Sequence, residues 1–276
     1  MVWPSRVYWI LLAPLPLFLA VTYVMPFLMV AGWSVTDPQP GFAQYGRVLG
    51  DPTVLGVLLR TMRIGIVATA VSVTLGYAVA YNWVFGPLWR QRLIEYCVLI
   101  PFWISVLIRA FGWLILLRSN GLVNEGLADL GLIDEPLALV RNEFGTIIGM
   151  VHFLIPFAVF PIASALRQID VRILQAASGL GAGRMRIFWQ VTLPMAMTGV
   201  VGAAIIVFVF ALGFFITPAI LGGGRSVMVA EFIYLQLFQT VNWGLAAAMS
   251  MVLLIFISVL GLGLRKAMRI DKLVGR

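Results

Sequence analysis

The chain has 276 residues, of which 62% are hydrophobic and 11% charged, whereas a soluble domain averages about 25% charged residues; apolar runs of 18 or more residues recur along it, so soluble globular folds are excluded. The net charge of +8 does not point to nucleic acid, because the arginines are spread over the gaps between apolar runs, where basic residues set membrane topology. A single cysteine, Cys97, excludes an intrachain disulfide, and with a single histidine it argues against a metal site built by the protein.

Six apolar runs, near residues 7–33, 64–85, 93–117, 145–166, 195–221 and 244–264, predict an all-α polytopic membrane protein of about six transmembrane helices in a single transmembrane domain, 1–276. The first run is too long for the apolar core of a signal peptide and reads as an uncleaved span. "TDPQPG" and "GDPT" break the chain after it, and "GPLWRQR" follows the second run. An acidic stretch with Glu125, Asp129, Asp134, Glu135 and Glu143 follows the third run. It contains "GLVNEGLADLGL", which reads as a short amphipathic helix. Residues 167–194 follow the fourth run, and "GGGRS" follows the fifth.

The Lys/Arg bias orients the runs. With the N-terminus inside, the inner segments hold Arg6, Arg90, Arg92, Arg167, Arg172, Arg184, Arg186, Arg265, Lys266, Arg269, Lys272 and Arg276. The outer loops hold Arg47, Arg118, Arg141 and Arg225. This asymmetry predicts that both termini and residues 167–194 are cytoplasmic.

That cytoplasmic segment is small, glycine-rich and basic. Ile169, Ile173, Ala176, Ala177 and Leu180 recur at spacings of three and four and form one apolar helical face. Asp170, Arg172, Gln175 and Ser178 lie mostly off that face. The helix is expected to end at "GLGAG", where glycine permits a left-handed turn. A second short segment then leads to Pro194, expected in the first turn of the next helix. Two uses fit such an element: docking on another protein, or resting on lipid headgroups.

Gln175, Ala176 and Ala177, then Gly181 after three residues, then Val191, Leu193 and Pro194 after nine more, resemble the Glu-Ala-Ala signature of ABC importer permease subunits. Gln for Glu and Val for Ile are its departures. "YWILLAPLPLF", "PFWISVLIRAFGWLILL", "HFLIPFAVFPI" and "FFITPAILGGG" extend the resemblance over nearly the whole chain, and it is similar to the spermidine/putrescine branch of type I, binding-protein-dependent importers. The resemblance implies a bacterial inner-membrane permease. Its coupling helix, with Asp170, Gln175, Ala176, Ala177, Gly181, Val191, Leu193 and Pro194, would sit in a cleft of a separate ATPase dimer. It also implies a second permease chain, identical or homologous, an extracytoplasmic solute-binding protein, and alternating access for polyamines or a related small polar solute.

The chain has no GxxxxGK[ST] P-loop; its two lysines, Lys266 and Lys272, follow Arg265 and Asp271. It is therefore expected to be no enzyme and to carry no cofactor, with ATP and magnesium on the partner ATPase. Candidate substrate-path residues are Arg109, Trp103, Trp113, Phe214, Phe215 and Glu231. Arg109 lies about 16 residues beyond Leu93, or about 24 Å along a helix, where snorkelling and an interhelical polar contact both fit. The aromatics suit packing as well as cation–π contact with a polyamine. Glu231 is either a solvated charge or a carboxylate facing a cationic solute. His152 reads as an interhelical hydrogen-bond partner. The acidic loop 118–144 is the candidate dock for the solute-binding protein. A self-contained channel or ion-coupled carrier is the alternative class. It usually requires ionisable groups near the membrane midplane, which these runs almost lack.

Overall fold

The computed structural model describes residues 13–274, with side chains as far as Gly263. The start of the first predicted span and the basic residues Arg6, Arg265, Lys266, Arg269, Lys272 and Arg276 lie outside the described residues or side chains. Among the described residues all regular structure is helical: α1 (Pro14–Thr36), α2 (Ala43–Gly50), α3 (Pro52–Phe85), α4 (Leu88–Trp103), α5 (Val106–Leu117), α6 (Leu122–Asp129), α7 (Glu143–Arg167), α8 (Val171–Gly179), α9 (Arg184–Leu212), α10 (Ile216–Leu221), α11 (Val229–Phe238) and α12 (Trp243–Val274). Six stretches are long and apolar enough to cross a membrane: Pro14–Thr36, Pro52–Phe85, Val106–Asp129, Glu143–Arg167, Arg184–Leu212 and Trp243–Gly263. The chain divides into two compact units, residues 57–231 and residues 1–56 with 232–276.

The helix limits depart from the apolar runs where local chemistry intervenes. The second helix begins at Pro52, well before the predicted residue 64. Asp51 caps it by accepting the Thr53 N–H at 2.7 Å, and Pro52 occupies its first position, where a missing N–H costs nothing. The third run is not one helix. It breaks after Trp103, because Pro101 withdraws a donor from α4 and the Ser105 hydroxyl caps α5 by accepting the Leu107 N–H at 3.3 Å. The fifth run likewise breaks at residues 213–215, between the cap Gly213 and Pro218 of α10.

Pro194 stands, as expected, in the first turn of the α-helical segment Leu193–Leu212, but no break precedes it. Residues 184–212 run continuously, with a π turn at Phe188–Thr192 just before the proline. The Leu193 N–H bonds back five residues to the Phe188 carbonyl, so the widened turn accommodates the ring that a tight α turn would reject. The same arrangement recurs in α1, where the π turn Ala20–Val24 precedes Met25 and Pro26.

In the unit 57–231, α7 is the central helix. Met150, Leu154, Ile162 and Leu166 are fully buried, and its burial runs round much of its circumference, as in a helix enclosed by others. In lipid, apolar side chains gain little from helix association, so close packing through small residues carries it. Gly76 of α3 approaches Ala158 so closely that a Cβ would lie 2.6 Å from the alanine Cβ. One buried polar link joins α3 to the start of α11: the Thr61 hydroxyl donates to the Val57 carbonyl at 2.8 Å and accepts the Val229 N–H at 2.9 Å.

In the other unit α1, α2 and α12 pack together. Trp33 and Trp243 meet edge to face at 5.3 Å. The Asp37 carboxylate accepts the Gly244 N–H at 2.7 Å, placing a negative charge at the N-terminus of α12, where the helix dipole favours it. Ser34, fully buried, bonds to the Tyr45 hydroxyl at 2.8 Å.

Candidate functional site

The helix–turn–helix segment is built from its caps inward. The Asp170 carboxylate accepts the Arg172 N–H at 2.9 Å and starts α8. At the other end the Gly181 N–H bonds to the Ser178 carbonyl and the Ala182 N–H to the Ala177 carbonyl. These two bonds form a Schellman cap, which requires a left-handed residue at Gly181; its φ is +83°. The predicted turn therefore lies where the spacing put it. Asp170→Ala is expected to cost α8 about 1 kcal/mol and to raise amide hydrogen exchange over residues 171–174 roughly fivefold. Unchanged exchange there would show that the cap contributes nothing.

No residue of α8 is buried. The predicted apolar face divides: Ile169 is buried below the helix, while Ile173 is exposed and Leu180 is 89% exposed. Gln175 and Ala176 are also exposed, Ala177 is half-buried, and open space surrounds Gly181. Both flanks are anchored. Leu166 and Ile169 enter the core. Phe188 stands edge-on to Tyr77 at 5.5 Å and to Tyr81 at 6.2 Å. Val191 and Leu193 are half-buried and Pro194 is exposed.

Of the six substrate-path candidates, the structure connects four. The Arg109 guanidinium lies over the Phe153 ring at 4.6 Å, and Phe153 meets Phe214 edge to face at 5.0 Å. Phe214 and Phe215 line an apolar groove of about 570 Å³, together with Phe153 and Phe210. Trp113 joins through α7: its Nε1–H donates to the His152 Nδ1 at 3.0 Å, so His152 is an interhelical hydrogen-bond partner. Arg109 is half-buried, and its Nε is buried without a hydrogen-bond partner.

Trp103 and Glu231 do not line this groove. Trp103, 84% exposed, contacts the Phe102 ring. Glu231 is buried, with one carboxylate oxygen unpartnered, so it is not a solvated charge. Burial pushes its carboxyl pKa up from the ordinary value, partly opposed by a backbone hydrogen bond from Met228. The sequence reading missed Phe153 and Phe210. The spacing of Phe153 and Phe157, four apart on one helix face and stacked at 5.4 Å, was a readable signal for the first.

Arg60 and Arg63 both pair with the Glu143 carboxylate at the start of α7, Arg60 at 3.8 Å. Arg60 also donates to the Val227 carbonyl at 3.4 Å.

Residues 72–268 match the family model described as "Binding-protein-dependent transport system inner membrane component". The chain belongs to this family. The permease is 32% identical to the spermidine/putrescine transport system permease protein PotB of Salmonella typhimurium (strain SL1344), over 94% of this chain and 92% of that protein. It is 31% identical to PotB of Escherichia coli (strain K12), over 94% and 96%. Its fold matches a bacterial ABC transporter involved in alginate import with a TM-score of 0.73 at 18% identity, covering 95% of this chain and 96% of that one. It matches the MetNI methionine ABC transporter with a TM-score of 0.59 at 17% identity, covering 78% and 94%. The permease is thus a multi-pass inner-membrane subunit of an ABC importer, a membrane component and not an ATPase.

Proposed function

We propose that the permease forms half of a translocation pathway for spermidine, putrescine or a closely related polyamine. A separate ATPase dimer drives it through residues 170–194. A second permease chain completes the pathway, a solute-binding protein delivers solute to the outer loops, and both termini are cytoplasmic. ATP and magnesium belong to the ATPase.

The observation that carries this reading is the union of an uncovered surface with anchored flanks. An apolar residue as exposed as Leu180, on a helix with nothing buried, is suited to cover by a partner. The flanks transmit force: α7 leads directly into α8, and Phe188 wedges the start of α9 against Tyr77 and Tyr81 of α3. A push on α8 therefore reaches two membrane helices together, which is what switching a cavity between two faces requires. Identity to PotB proteins over nearly the full chain supports the polyamine class. The arginine over Phe153 is better suited to bracing the groove than to meeting an ammonium group, since like charges repel.

The test uses a tagged chain in which Cys97, the only cysteine, is replaced by serine and a cysteine is placed at Ala176. Purification from native membranes in mild detergent is expected to recover a stoichiometric P-loop ATPase that crosslinks to residue 176. Proteoliposomes of that complex, supplied with the binding protein, are expected to accumulate labelled spermidine or putrescine only with ATP. A chain that emerges alone, with no ATPase crosslinked, overturns the coupling assignment. ATP-driven uptake that ignores polyamines overturns the substrate.

A further inference from the structure

Three of the four arginines on the predicted outer side converge on one cavity. Arg118, Arg141 and Arg225 border a space of about 640 Å³, whose wall includes Leu114 and Ile115 of α5. The three come from separate segments. Arg118 is the first residue after α5, Arg141 lies two before α7, and Arg225 lies four after α10. All three are exposed, and each stands within four residues of the end or start of a helix.

Their backbones are held in place. The buried Asn124 side chain donates to the Arg118 carbonyl at 3.1 Å and to the Leu137 carbonyl at 3.1 Å, and accepts the Leu137 N–H at 2.8 Å. The Arg141 N–H donates to the Leu221 carbonyl at 2.7 Å, and the Arg225 N–H to the Gly222 carbonyl at 3.1 Å.

The charges, by contrast, are unanswered. Among the described residues no carboxylate oxygen lies within 4.0 Å of any of the three guanidinium groups; the one carboxylate that pairs with arginine, Glu143, is engaged by Arg60 and Arg63. The acidic residues of the intervening loop do not line the cavity. Like charges gathered on one cavity repel unless an anion joins them, and arginine's planar fork matches a phosphate in particular. The wall chooses among anions. Ile115 is 57% exposed on α5, part of a stretch apolar enough to cross a membrane, so the cavity has an apolar wall beside its charged one. A lone acidic side chain of a protein partner has no use for that wall, whereas a phospholipid does: its phosphate meets the arginines and its acyl chains follow Leu114 and Ile115.

We propose that this cavity binds the headgroup of an anionic membrane phospholipid. The site is separate from the groove lined by Phe214 and from the exposed α8, and it does not depend on what the permease transports.

The test exchanges the full-length chain, in its purified complex, into lipid nanodiscs containing phosphatidylglycerol and phosphatidylcholine in known ratio. Bound lipid is then counted by native mass spectrometry after release into detergent. The wild type is expected to retain phosphatidylglycerol in preference to phosphatidylcholine. Each arginine near an anionic surface contributes about a fivefold factor, so R118Q/R141Q/R225Q is expected to lower that preference by roughly a hundredfold. Arg47→Gln, which removes an exposed arginine outside the cavity, is expected to leave it unchanged. If the triple variant fails to insert, R225Q alone is read against an expected loss of roughly fivefold. No preference in the wild type overturns the proposal, as does a triple variant that retains as much lipid as the wild type. Displacement of the lipid by inorganic phosphate at millimolar concentration makes the site one for a free anion. Crosslinking of residue 225 to the solute-binding protein, with no lipid retained, makes it a protein dock.

Discussion

Leu180→Asp is expected to reduce ATP-driven uptake more than tenfold while the chain inserts and folds normally. Leu180 is 89% exposed, so replacing it removes almost no contact within the chain, and surface changes of that kind usually shift stability by less than about 0.5 kcal/mol. Covered by a partner, the same side chain would contribute about 2 kcal/mol, a factor of roughly 30 in affinity, and a buried aspartate would cost more. Uptake of labelled spermidine in cells, compared with the amount of ATPase recovered with the tagged chain, reads both effects. Normal uptake and normal ATPase recovery would remove α8 as the docking surface. A bulky charged residue at Gly181 is a less clean probe. Its φ of +83° penalises any L side chain by about 1–2 kcal/mol before a partner is considered, so a loss there would confound strain with docking.

Gly199→Ala is expected to destabilise the membrane fold by about 3 kcal/mol, at the upper end of overpacking costs. A Cβ at Gly199 would lie 2.5 Å from the Ala165 Cβ, 2.8 Å from the Pro161 carbonyl oxygen and 3.3 Å from the Ile162 Cα. Two of these three atoms are backbone, so α7 and α9 must separate. Gly202, three residues further along the same helix, supplies the control: a Cβ there meets nothing within 4 Å. Gly202→Ala is expected to be neutral or to stabilise by up to about 1 kcal/mol through helix propensity. Thermal unfolding of both variants in one detergent gives the comparison. Equal midpoints would mean that the close approach of α7 and α9 does not hold the fold.

The sequence by itself determined what depends on composition and on short spacings. Long apolar runs separated by polar gaps require membrane-crossing helices, because every backbone group in lipid must be satisfied within its own segment. The left-handed turn at Gly181 was readable because a helix end is decided by residues five or fewer apart, whereas the start of α8 was not: Ile169, counted on its apolar face, lies before the Asp170 cap. The basic gaps supplied an orientation for the same local reason. The limits of the runs were less legible. A hydropathy window averages over Pro101 and Ser105, or over Gly213 and Pro218, so it joins helices that single missing donors and side-chain caps divide. The proline rule put Pro194 correctly in a first α turn but gave no sign of the π turn that joins that segment to residues 184–187.

Only the tertiary structure decided which distant residues meet. Arg109 rests on Phe153, 44 positions away, and Trp113 reaches His152. Glu231 is buried although an apolar helix of that length reads equally well as exposed. Arg118, Arg141 and Arg225, counted one by one as topology signals, border a single cavity. Periodicity places a residue on a face of its own helix; which face another helix covers is set by the crossings of α3, α7 and α9. Those crossings depend on the fit of small residues such as Gly76 and Gly199 against particular partners, a three-dimensional match with no period along the chain.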